Sequence, residues 1–162
     1  MKAKKLSMEL IMQIIAFAIA GSVIYELPYI KYVYYDKLVE AFQITNAQAG
    51  LLLSVYAIGC LVLYIPGGIV ADKFSAKKML VLSLFGTGIL LAFSMNYTTA
   101  LIVFFLLALT TSFVFWTALN KGLCLLGGEE DSGLTFGWYH ALSAVISFCT
   151  SLIFWKLYAS VE

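Results

Sequence analysis

Long apolar stretches alternate along the chain with short polar interruptions. The apolar runs cover about residues 8–33, 47–70, 78–95, 100–126 and 134–158. Each is close to the ~20 residues with which an α-helix crosses the ~30 Å hydrocarbon core of a bilayer. The interruptions carry helix-ending and helix-starting chemistry. Thr45-Asn46-Ala47-Gln48 has the Thr-x-x-Gln pattern of a capping box, in which a hydroxyl and an amide satisfy the free N–H groups of a helix start. Asn96-Tyr97-Thr98-Thr99 is too short a turn for anything but an antiparallel hairpin. In Gly127-Gly128-Glu129-Glu130-Asp131-Ser132, glycine ends one helix and acids precede the next, where they complement its positive N-terminal dipole. The pattern predicts an all-α membrane protein with five transmembrane helices.

Composition agrees: 62% of the 162 residues are hydrophobic and 12% charged, far more apolar than a soluble domain. Lys2, Lys4 and Lys5 ahead of an apolar run, with Ala18-Ile19-Ala20 before Gly21, have the outline of a secretion signal. The run exceeds a signal's apolar core and four more membrane-length stretches follow, which favours an uncleaved first helix. With a net charge of +1 there is no uncompensated cationic face, so no nucleic-acid partner is expected. The lipid bilayer is the partner that the composition requires.

All ten basic residues are lysine, which removes the guanidinium fork best suited to carboxylate or phosphate. Cys60, Cys124 and Cys149 lie singly in apolar runs without metal-site spacing, and buried, reduced thiols are expected. No cofactor or metal is expected. No Ser/His pairing or phosphate-cradling loop points to an enzyme.

Lysine placement sets orientation. The N-terminus and the loop after the second stretch carry three lysines each, whereas Lys31 and Lys37 on the other side are offset by Asp36 and Glu40. The expectation is a multi-pass protein of the cell (inner or plasma) membrane with a cytoplasmic N-terminus.

One charged loop carries more information. Gly68-x-x-Ala71-Asp72-Lys73-x-x-x-Lys77-x-x-Leu80, between the second and third stretches, resembles the loop motif of the major facilitator superfamily of secondary transporters. Tyr64-Ile65-Pro66-Gly67-Gly68 and Ala47-Gln48-Ala49-Gly50-Leu51-Leu52 resemble the family as well, while Ser75 and Ala76 stand where it usually has Gly and Arg. The resemblance implies a small-molecule substrate, alternating access between two half-bundles, and a conformational-switch loop comprising Gly68, Asp72, Lys73 and Lys77. It implies that Asp72 docks on a helix of the other half. Independently, an acid at the negative end of a helix needs a cation or a helix N-terminus. Residues 1–162 then form a partial N-terminal bundle, whose partner is the missing C-terminal half or a second subunit. The alternative is a membrane scaffold, or a truncated remnant, that does not transport.

Ionisable groups inside a span mark candidate pathway residues. Glu26 lies near the outer end of the first stretch, with Tyr25, Tyr29 and Tyr32 beside it and Pro28 expected to kink the helix there. It is either a proton or cation site lined by Tyr25 and Tyr29, or an interfacial acid paired with Lys31. Asn120 and Lys121 lie one turn inside the end of the fourth stretch, and Lys121 either meets an anionic solute or snorkels to the headgroups. His140, the one histidine, is a proton relay or a structural hydrogen-bonding group. The small-residue series Ser143, Ser147, Ser151, then Gly50, Ser54, Ala57, and also Ala16 and Ala20, read as helix-packing faces, within this bundle or toward the missing half.

Overall fold

A computed structural model describes residues 7–26, 28–92 and 96–159. They form α1 (Met8–Glu26), α2 (Ile30–Phe42), α3 (Asn46–Lys73), α4 (Ala76–Leu91), α5 (Tyr97–Ala108), a π-helical segment (Leu109–Trp116) and α6 (Thr117–Ala159). No strand occurs among the described residues, so the chain is all-α. Lys2, Lys4, Lys5 and Met95 lie outside the described residues, as does the side chain of Lys31.

Among the described residues, four stretches are long and apolar enough to cross a membrane: Met8–Glu26, Asn46–Lys73, Tyr97–Gly128 and Asp131–Lys156. This corrects the expected count of five. The 16 residues of α4 reach only about 24 Å at ~1.5 Å per residue, short of a ~30 Å core.

The first apolar run is two helices rather than one kinked helix. Pro28 offers no N–H and its ring clashes with the carbonyl four residues back, so α1 stops at Glu26 and a turn precedes α2. The second helix carries Asp36, Lys37 and Glu40 and does not continue the span. It closes on Gln43 in the left-handed conformation (φ 49°, ψ 45°), with the Ile44 N–H donating to the Val39 carbonyl at 3.1 Å.

The capping box forms as the spacing predicts. Thr45 Oγ1 accepts from the Gln48 N–H at 3.3 Å, and Gln48 Oε1 accepts from the Thr45 N–H at 2.8 Å. Thr45→Ala is expected to cost about 1 kcal/mol, with Thr45→Ser close to neutral. Unfolding in detergent followed by far-ultraviolet circular dichroism reads this difference.

At the other end, helix resumes sooner than the glycine-rich interruption suggests. Only Gly128 leaves helical geometry there (φ 65°, ψ −170°), and helix resumes directly after it. That conformation is open essentially to glycine alone. The acids therefore occupy the first turn after the kink, where the helix dipole favours them.

The chain divides into two compact units: Ile24–Gly122, and Met1–Val23 with Leu123–Glu162. In the first, α3 packs on α5 and on the π-helical segment, and α4 packs on that same segment. Its core holds Leu52, Tyr56, Val103, Phe104, Leu107 and Ala108. Within this unit, close approach falls at Gly59 and Gly67. A Cβ at Gly59 would lie 2.7 Å from the Ala108 Cβ, and one at Gly67 would lie 2.7 Å from the Phe113 carbonyl oxygen. Ser54 and Ala57 are exposed in this unit. Only a residue without a side chain lets two helix backbones touch at these points.

In the second unit, Ser22 Oγ donates to the carbonyls of Ala18 (2.8 Å) and Ser143 (3.1 Å). Ile11, Ile14, Ile15, Trp138 and Leu142 surround an apolar cavity of 260 Å³.

Candidate functional site

The unit Ile24–Gly122 holds a cavity of 360 Å³ lined by Tyr25, Tyr29, Tyr56, Cys60, Tyr64, Ser112 and Trp116. Each side chain is delivered by a simple periodicity. Tyr56, Cys60 and Tyr64 are spaced by four on α3, so they share one face. Ser112 and Trp116 are spaced by four on the π-helical segment. Tyr25 ends the last turn of α1, and the buried Pro28 turns the chain so that Tyr29 follows it into the same space.

The rings form a connected wall. Tyr25 lies 6.2 Å from Tyr29, 6.0 Å from Phe115 and 6.3 Å from Trp116, while Tyr29 lies 5.9 Å from both Tyr56 and Tyr32. The contacts with Phe115, Trp116 and Tyr56 are edge-to-face, the arrangement that ring quadrupoles favour. Two hydroxyls are tied back to the same residue: Tyr25 donates to the Thr111 carbonyl at 3.3 Å, and Tyr56 shares a 3.0 Å hydrogen bond with Thr111 Oγ1. Trp116 Nε1 donates to the Tyr64 hydroxyl at 3.2 Å, which leaves the Tyr64 O–H able to donate elsewhere. Among the described residues, no charged side chain lines the cavity. The arrangement offers aromatic faces with hydroxyl and indole groups between them, suited to a small, neutral, partly apolar solute.

The sequence-derived candidates separate. Tyr25 and Tyr29 are in the wall. Glu26 is half-buried at the end of α1 and is not part of the lining. Asn120 is half-buried on α6. His140 is exposed on the other unit, its ring 5.0 Å from that of Tyr139. Tyr56, Cys60, Tyr64, Ser112 and Trp116 are not among the residues that sequence reasoning singles out for the pathway. The four-residue spacing on α3 is their one available signal, and apolar runs are full of such spacings.

Lys121 has a different set of partners from either expected one. Its ammonium donates to the carbonyls of Ala71 (2.7 Å), Asp72 (3.1 Å) and Phe74 (3.0 Å), which engages all three of its N–H donors. A cation at a helix C-terminus is favourable and satisfies carbonyls that the helix cannot. This accounts for α3 running on to Lys73, a little beyond the end expected near Val70. Gly68 is half-buried within α3, while Asp72, Lys73 and Lys77 are exposed around the loop. The three cysteines are free thiols, but only Cys60 is partly buried; Cys124 and Cys149 are exposed, contrary to the burial expected of them.

Residues 10–160 match the family model of the Major Facilitator Superfamily. The chain is 32% identical over 135 residues to the inner membrane protein YqcE of Escherichia coli (strain K12), covering 82% of this chain and 31% of that one. Over 143 residues it is 29% identical to the inner membrane protein YihN of the same organism, covering 84% and 34%. Over 126 residues it is 35% identical to that organism's L-fucose-proton symporter, covering 70% and 28%. The chain thus spans about a third of the length of these curated relatives. No solved structure matches it.

Proposed function

Because the chain belongs to the Major Facilitator Superfamily, we propose that it forms the N-terminal part of a secondary transporter that moves a small solute by alternating access. The observation that carries this reading is the 360 Å³ aromatic cavity, built by α3, the π-helical segment and the residues around Pro28. Its volume falls in the range of small-molecule sites, and its walls are aromatic with a few polar groups. Relatives named as inner membrane proteins, together with the apolar helices, support a multi-pass inner membrane location. The lysine distribution supports a cytoplasmic N-terminus.

The solute in this reading is neutral and hydroxylated. The absence of a charged side chain from the lining among the described residues and the similarity to an L-fucose-proton symporter both favour it. Glu26, next to the cavity residue Tyr25, is the proton site, and Asp72 docks on the remainder of the transporter. The remainder completes the far wall of the solute path, as expected where two repeats enclose a central site.

Cys60 reports on the cavity directly. In a Cys124→Ser/Cys149→Ser background, alkylation of Cys60 by N-ethylmaleimide is expected to slow several-fold when L-fucose or another neutral monosaccharide is added. Alkylation indifferent to every neutral monosaccharide overturns the solute assignment. Saturable uptake by the isolated chain in liposomes overturns the reading of it as a part, and the scaffold alternative gains if the full-length protein transports nothing.

A further inference from the structure

The π-helical segment Leu109–Trp116 stands between two features already described. It supplies Ser112 and Trp116 to the cavity wall, and its last residue lies five positions before Lys121. A π-helix carries extra backbone per turn and is poorer in its own hydrogen bonds than an α-helix, so it persists where neighbours hold it. Here the neighbours are hydroxyls. Ser83 Oγ donates to the Thr110 carbonyl at 2.7 Å, and Thr87 Oγ1 donates to Thr110 Oγ1 at 2.9 Å. Thr111, fully buried, is the centre: its Oγ1 donates to the Leu107 carbonyl at 2.7 Å and meets the Tyr56 hydroxyl, while its own carbonyl accepts from Tyr25. Both tyrosines present their rings to the cavity.

We infer that Thr111 is a positioning residue that holds residues 109–116 in the π register, and that this register links the aromatic cavity to the Lys121 clamp on the α3–α4 loop. The two registers are discrete arrangements. Conversion of the segment to α-helix turns everything after it by about 100° relative to everything before it, with a shift of ~1.5 Å. That rotation carries Trp116 away from Tyr64 and carries Lys121 off the carbonyls of Ala71, Asp72 and Phe74. An occupant that packs on Trp116 and Ser112 as they now stand favours the π register and therefore the clamped loop. Linkage makes the effect reciprocal: loss of the clamp weakens the π register and loosens the cavity. The link does not rest on transport, and its test is separate from any transport assay.

The chain in lipid nanodiscs gives two readouts: amide hydrogen exchange of residues 68–74, and the alkylation rate of Cys60 in the Cys124→Ser/Cys149→Ser background. Thr111→Val keeps the shape and removes the hydroxyl. It is expected to speed exchange at 68–74 by roughly 5-fold or more, although it lies far from that turn in sequence, and Thr111→Ser is expected to restore the original rate. Lys121→Met is expected to speed both exchange at 68–74 and alkylation of Cys60, and adding Thr111→Val to it should change exchange at 68–74 no further. The inference is overturned if Thr111→Val leaves residues 68–74 unaltered, if Lys121→Met leaves Cys60 unaltered, or if the two effects on exchange simply add. Should Thr111→Val fail to fold, Tyr56→Phe, which removes only the partner hydroxyl, is held to the same expectations.

Discussion

Replacement of Phe115 by alanine is expected to lower the unfolding free energy by about 3–5 kcal/mol, the range for removing a fully enclosed aromatic ring. Phe115 is 0% exposed, and its ring meets Tyr25 edge-to-face at 6.0 Å. It lies in the π-helical segment, and Thr111 one turn before it and Leu119 on α6 one turn after it are also fully buried. The loss comes from dispersion contacts and the residual cavity, terms that act in lipid as in water because interior packing is equally dense. Unfolding in bicelles, compared between Phe115→Ala and the same change at the half-buried Phe113, checks the expectation. A loss below about 1 kcal/mol would mean that the segment collapses around the missing ring.

The second large effect concerns Glu26. In the transporter proposed above, Glu26→Gln keeps the size of the side chain and removes its proton exchange. If Glu26 is the proton site, uptake driven by a proton gradient is expected to fall by roughly 5- to 150-fold, the span of typical coupling free energies. Solute binding, read as protection of Cys60, should persist, and the pH dependence of uptake should flatten. An unchanged pH profile removes the acid from the mechanism. The location of Glu26 makes the two readouts separable: it follows Tyr25, which lines the cavity, yet is not itself part of the lining.

Local chemistry is legible in the sequence where it depends on neighbours along the chain. The Thr45–Gln48 capping box, a disturbance of the helix at Pro28 and an interruption at the glycine pair Gly127-Gly128 each follow from a few adjacent residues. The charged loop from Gly68 to Leu80 points to the family on its own, because its residue types and spacing are specific. Extent is less legible. Hydropathy runs through Pro28 as though the first stretch were one helix, since it averages over a proline that backbone geometry cannot ignore. The glycine-rich interruption looks like a gap between helices, since a stop signal in sequence does not say how soon helix resumes.

The candidate site is only half legible, and the reason is geometric. Lys121 and Glu26 stand out as charges in apolar surroundings, whereas the cavity is built of aromatic, thiol and hydroxyl groups that such surroundings disguise. By itself the sequence determined the all-α membrane character and the family, because hydropathy, length and local motifs are properties of contiguous residues. Only the tertiary structure decided that Tyr25, Tyr56 and Trp116 share one cavity, that Thr111 gathers the hydroxyl contacts of the two tyrosines, and that Lys121 reaches back 47 to 50 positions to cap α3. Those pairings depend on how helices cross, and crossing is set by close contacts such as Gly59 on Ala108 and Gly67 on Phe113. Such contacts join residues that no window along the chain brings together.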